Sequence, residues 1–156
     1  MKFANPTSPT MEELNKMIER VGGYLDLSCT AITALPDGLS VGGSLDLRCT
    51  AITALPEGLS VGGYLDLRDT SITALPDGLS VGGSLYLRGT NIPVIYRDER
   101  DYELRRIMCG SDEWWVAGCR VFTSRSAALA HWGGDDYPDK SRGAKFCDAI
   151  RSTPEA

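Results

Sequence analysis

The sequence predicts an α+β chain: a solenoid of about four 20-residue coils, with a helical cap before it and a ββαα cap after it. Three observations carry that expectation. Residues 21–40 read VGGYLDLSCTAITALPDGLS and return as VGGSLDLRCTAITALPEGLS (41–60) and VGGYLDLRDTSITALPDGLS (61–80). A fourth copy opens as VGGSLYLRGTNI at Val81 and decays from Pro93. Self-similarity at a fixed period of this length marks stacked coils, because one coil cannot bury its apolar face alone. The divisions expected are 1–20 for the first cap, 21–96 for the solenoid and 97–156 for the second cap.

The first cap is expected as a helix over 8–21 (SPTMEELNKMIERV), with Ser8 or Thr10 as N-cap and Glu12 and Glu13 in the first turn. Met11, Leu14, Met17 and Ile18 share a face suited to covering the first coil.

Within each coil, G-G-x-L-x-L alternates apolar positions, so Leu25/Leu27, Leu45/Leu47, Leu65/Leu67 and Leu85/Leu87 point inward from a short strand. Ile32, Ile52, Ile72 and Ile92 return to the same interior. Leu35, Leu55 and Leu75 precede proline, which disfavours helix at and before itself and predicts an extended return segment. Leu39, Leu59 and Leu79 with Val41, Val61 and Val81 complete the ring, giving parallel strands on a concave face and no convex helix.

These residues resemble the short leucine-rich repeats of bacterial LPX-type proteins, over roughly residues 21–96. The resemblance implies a solenoid without convex helices. Two departures stand out: Thr30, Thr50, Thr70 and Thr90 occupy the usual Asn position, and the return segment reads LPxGLxVGG. Some relatives are secreted effectors carrying a ubiquitin-ligase domain, and the remainder of this chain is too short for one.

The second cap is expected to open with two strands, 101–109 and 114–122, joined through Gly110–Glu113. A helix through Ala127, Leu129 and Trp132, capped by Thr123 or Ser124, stops at Gly133-Gly134. Another runs from near Pro138 to about Ser152, with Phe146, Cys147 and Ile150 inward.

Outward strand positions form three ladders: Tyr24, Ser44, Tyr64, Ser84; Asp26, Asp46, Asp66, Tyr86; and Ser28, Arg48, Arg68, Arg88. Tyr and Arg are favoured interface anchors. The partner-binding residues expected are therefore Tyr24, Asp46, Tyr64, Asp66, Arg68, Tyr86 and Arg88. Trp114 and Trp115 join them, because one of an adjacent pair on a regular strand points away from the core. The competing expectation for the ladders is mutual neutralisation of Asp and Arg.

Two kinds of chemistry compete with binding. Cys119 with His131, the one histidine, would make a thiol–imidazole pair, although alternation with Ala117 and Val121 gives Cys119 the look of a core strand residue. Cys109, Cys119, Cys147 and His131 lack the spacing of a zinc module. Neither a metal nor a cofactor is expected.

The chain carries a net charge of −5, and residues 21–96 hold seven acidic side chains against three arginines. That balance argues against nucleic acid as partner, since such binders carry a basic stripe; an acidic face mimicking nucleic acid is the variant considered. Five cysteines without a C-x-x-C pair read as buried small hydrophobes in a reducing compartment. No segment has the length and apolarity of a membrane span or a secretory signal. The functional expectation is a non-enzymatic protein-binding module of the cytoplasm, microbial or phage-encoded, that blocks or recruits its target. A cysteine enzyme and an oligomeric scaffold are the rivals.

Overall fold

A computed structural model describes residues 23–154, together with Thr10, Glu12, Glu13, Asn15 and Lys16. The last four are helical. Thr10 Oγ1 accepts the Glu13 amide at 3.3 Å while the Glu13 carboxylate accepts the Thr10 amide at 2.8 Å, a reciprocal capping box. Thr10 is therefore the N-cap. The apolar face expected from Met11, Leu14, Met17 and Ile18 lies outside the described residues.

The chain divides into two compact units, residues 1–92 and 93–156. In the first, strands recur every 20 residues in two parallel sheets. One holds β1 (Leu25–Asp26), β3 (Leu45–Asp46), β5 (Leu65–Asp66) and β7 (Leu85–Tyr86) in that order. The other holds β2 (Ser40–Val41), β4 (Ser60–Val61) and β6 (Ser80–Val81). Leu25 pairs with Leu45, Leu45 with Leu65 and Leu65 with Leu85, so the register advances by one coil at each step.

The expected ring of leucine, isoleucine and valine positions is buried from coil to coil, Val81 alone being half-buried. Each threonine of the T-x-I turn donates its hydroxyl to the carbonyl three residues back: Thr30 to Leu27 at 2.6 Å, and Thr50, Thr70 and Thr90 to Leu47, Leu67 and Leu87 at 2.7 Å. The threonine thus closes its own turn and does not bridge coils as an Asn ladder would. Where the Gly-Gly pairs cross, coils touch through bare backbone. A Cβ on Gly62 would stand 2.2 Å from the Gly42 carbonyl oxygen, and one on Gly82 would stand 2.4 Å from that of Gly62.

The second unit is an antiparallel sheet in the order β11-β10-β9-β8, formed by β8 (Tyr96–Arg97), β9 (Glu103–Cys109), β10 (Asp112–Ala117) and β11 (Arg120–Phe122), followed by helices α1 (Arg125–Gly133) and α2 (Lys140–Ser152). This corrects the ββαα expectation twice. Tyr96–Arg97 belongs to this sheet, and the segment expected as one strand over 114–122 is broken at Gly118-Cys119. Cys109↔Asp112 and Ala117↔Arg120 are paired, leaving Gly110-Ser111 and Gly118-Cys119 as two-residue hairpin loops. Each loop opens on a glycine with φ near +60° (62° and 61°), as such turns require.

Ser124 caps α1 by accepting the Ala127 amide at 3.1 Å, and Asp139 caps α2 by accepting that of Arg142 at 3.0 Å. Leu104, Trp115, Ala117, Ala128, Trp132, Phe146, Cys147 and Ile150 form the core, with Trp132 stacked on Phe146 at 5.0 Å between centroids. Ala128 and Trp132 are the buried residues of α1. Arg125 ties the two helices together, one Nη donating to the carbonyls of Ile150 (2.6 Å), Thr153 (2.7 Å) and Arg151 (3.1 Å).

Candidate functional site

The ladders of the first unit separate by depth. Asp46 and Asp66 are 2% exposed, which corrects their assignment to a contact surface. Burial of a carboxylate needs charge and hydrogen bonds in compensation, and the arginine two residues on supplies both. Arg48 reaches Asp46 through Nε at 2.9 and 3.0 Å and through Nη2 at 2.6 Å; Arg68 repeats the clasp on Asp66 at 2.9, 3.1 and 2.6 Å. Arg48 Nε also lies 3.5 Å from Asp66, so this cation stands between two stacked anions. The Asp46 hydrogen bond raises the Arg48 guanidinium above its ordinary value, and the Asp66 bond does the same for Arg68. In the first coil, where Ser28 replaces arginine, Asp26 accepts the Ser28 hydroxyl at 2.6 Å and its amide at 2.9 Å.

Besides tyrosine and arginine, this face leaves Asp26, Ser44 and Ser84 half-buried. Tyr24 is 37% exposed and meets Tyr64 at 6.2 Å between ring centroids, above Ser44. Tyr64 meets Tyr86 edge-on at 6.1 Å, and the Arg68 guanidinium lies 5.2 Å from the Tyr86 ring centre. A hydrogen bond to Tyr64, then burial, holds the Tyr24 phenol above its usual range. Arg88 is exposed. Asp46 and Asp66, being buried, add little to any acidic surface here. The exposed acids Asp37, Glu57 and Asp77 belong to the return turns of successive coils.

Trp114 and Trp115 do fall on opposite faces of β10, but neither stands exposed: Trp115 is 0% and Trp114 9% accessible. Alternation told which way each points and was silent on whether the second face is covered. Val116 and Ile107, which share the face of Trp114, are also buried.

Cys119 occupies the Gly118-Cys119 turn, half-buried, and is no core strand residue. His131 Nε2 faces Arg120 Nη1 at 3.2 Å and is ringed by Phe122, Trp132 and Tyr137 at 5.1–5.6 Å. Burial, then the Arg120 charge, pushes the imidazole below its ordinary pKa. Among the described residues no hydrogen bond joins Cys119 to His131, and no group of three or more His, Cys, Asp or Glu is placed to hold a metal ion.

A cleft that the sequence reading missed opens beside this histidine. It encloses about 510 Å³ and is lined by Tyr102, Arg120, His131, Tyr137 and Arg142, with Asp136 at its wall. Arg142 is committed to Asp98, with Nε 2.5 Å from Oδ2, and lies 4.8 Å over the Tyr102 ring. Arg120 makes no ion pair among the described residues. Aromatic walls and a guanidinium without a carboxylate partner among the described residues suit a small anionic ligand. The lone histidine was the only signal that pointed here.

No helix among the described residues is long and apolar enough to cross a membrane. Comparisons with protein-family models, with curated proteins and with solved structures each find no match.

Proposed function

We propose that the chain is a non-enzymatic protein-binding module of the cytoplasm. On this reading residues 21–96 form a short leucine-rich-repeat solenoid of the bacterial LPX type, and the chain is a microbial or phage-encoded binder that blocks or recruits its target. The observation that carries the reading is the strip Tyr24–Tyr64–Tyr86 with Arg68 laid against Tyr86, mounted on paired strands. Tyrosine and arginine dominate binding hot spots. Here their side chains are already ordered, by ring contacts and by the clasp of Arg68 on Asp66, so association loses less side-chain entropy. The carboxylates beneath orient the arginines and leave the contact surface to them. An acidic or aromatic patch on the partner is the complement.

The rival enzyme needs a thiol–imidazole hydrogen bond, whereas His131 Nε2 is turned to Arg120.

Affinity capture from bacterial lysate, followed by titration of the purified captured protein, tests the proposal. Tyr64→Ala/Arg68→Glu should weaken binding at least about 100-fold, the ~2.7 kcal/mol expected when two anchors are lost. Glu57→Ala, on an exposed return turn, should bind as wild type. Equal affinity of the double variant and the wild type overturns the assignment to this face.

A further inference from the structure

The position after each Arg-or-Ser rung has a left-handed backbone in every coil: Cys29 (φ 54°), Cys49 (55°), Asp69 (57°) and Gly89 (75°). Asp and Gly are residue types that tolerate this conformation, and cysteine is not among them. Coils three and four show that the turn forms without cysteine, so nothing in the fold demands it in coils one and two. Both thiols are exposed, contrary to the expectation of buried cysteines. The Cys29 amide donates to the Arg48 carbonyl at 2.7 Å, locking the two turns in register. Near-equal φ angles in these registered turns give the two Cα–Cβ bonds similar directions.

We infer that Cys29 and Cys49 form a dithiol modification site that closes to a disulfide across the first two coils when it meets a low-molecular-weight disulfide.

Stacked coils lie about 4.8 Å apart, inside the roughly 4.4–6.8 Å between Cα atoms that a disulfide spans. Parallel Cβ directions keep the Cβ atoms near that same spacing, slightly above the roughly 3.5–4.5 Å that a relaxed bridge prefers. Closure therefore pinches the turns a little, and a pinched bridge is one that thiols readily reopen. A hydrogen bond to Cys29, then burial, raises the Cys49 thiol above its ordinary value.

One of the two thiols gives its proton to solvent and attacks one sulfur of the oxidant, whose S–S bond breaks and releases one thiolate with the bonding pair. The other thiol then loses its proton and attacks the sulfur of that mixed disulfide which belongs to the protein, expelling the second thiolate. Two protein thiols are oxidised to one disulfide, and the oxidant is reduced to two thiols, which take up the two protons. Cys109 and Cys147 are buried, and burial raises the Cys147 thiol. Cys119 is half-buried.

The test is to equilibrate the full chain with oxidised glutathione and then map the products. Arg48 separates the two cysteines for trypsin, so the link appears as a joined pair of peptides. The expected result is loss of two of the five thiols, a Cys29–Cys49 link, and full reversal by reduced glutathione. C29S and C49S, checked for folding by circular dichroism, should instead retain a glutathione adduct on the remaining thiol. Stable double adducts without closure, no reaction at either residue, or a link forming first through Cys109, Cys119 or Cys147 overturns the inference.

Discussion

Asp98→Ala removes the acceptor of three hydrogen bonds at once. The carboxylate is 1% exposed; Oδ1 accepts the amides of Arg100 and Tyr102, both at 2.9 Å, and Oδ2 accepts Arg142 Nε at 2.5 Å. Breaking a buried pair costs about 3–5 kcal/mol, because the surviving charge is stranded. Arg142 keeps 18% of its side chain in solvent, which places the expected loss at the lower end, about 3 kcal/mol. All three tryptophans lie in the second unit, so intrinsic fluorescence during heating follows that unit. For a unit of this size the loss corresponds to a fall in Tm of roughly 12–24 °C. Burial alone would raise the Asp98 pKa, but the Tyr102 amide, Arg142 and the Arg100 amide reverse it and hold the carboxyl below its ordinary value. Its contribution is therefore complete above the unfolded pKa near ~4 and is lost as pH falls through the lower folded value. The gap between wild type and variant should close across that acid window. A fall in Tm below about 4 °C would refute the argument, as would additive costs of Asp98→Ala and Arg142→Met in a double-mutant cycle.

Three further outcomes follow from contacts already described. Thr50→Val keeps the shape of the turn but removes the hydroxyl bond to Leu47, and should cost about 1 kcal/mol in urea unfolding followed by circular dichroism; no change would mean that solvent replaces the bond. Gly62→Ala forces its Cβ against the Gly42 carbonyl and should destabilise the first unit by at least about 1–3 kcal/mol, as overpacking does. A neutral result would show that the coils can part there without loss. His131 should titrate below the ordinary histidine range by NMR, in a spectrum with a single imidazole, and Arg120→Ala should move its midpoint upward; an unmoved midpoint would rule out the contribution of the Arg120 charge.

The coil was readable because one period ordered every apolar position: Leu25, Leu27, Ile32 and Leu39 are at 0% exposure, where alternation and the turns placed them. The second sheet was not, since Ser40-Val41 stands between Leu39 and a Gly pair and offers only two residues of pattern. Asp46 and Asp66 misled for a physical reason. A carboxylate at an outward strand position looks solvent-bound, and its burial depends on a clasping arginine whose conformation no periodicity encodes. In the second unit, Gly118 ended a strand that composition alone extended to Phe122. Its cleft gathers Tyr102, Arg120, His131 and Arg142 from parts of the chain up to 40 residues apart, and residues that meet only in three dimensions leave no spacing to read.

The alternation of Tyr24, Ser44, Tyr64 and Ser84 gives the tyrosine strip a grain twice as coarse as the coil. Tyr24 and Tyr64 lean together across Ser44, whose hydroxyl accepts the Tyr64 amide at 3.0 Å. A ring at position 44 would occupy the space those two share. The backbone can gain or lose one coil at a time, whereas the strip can change length cleanly only by two. Any lengthening of this chain by duplication would therefore preserve its surface in steps of about 40 residues and scramble it in steps of about 20.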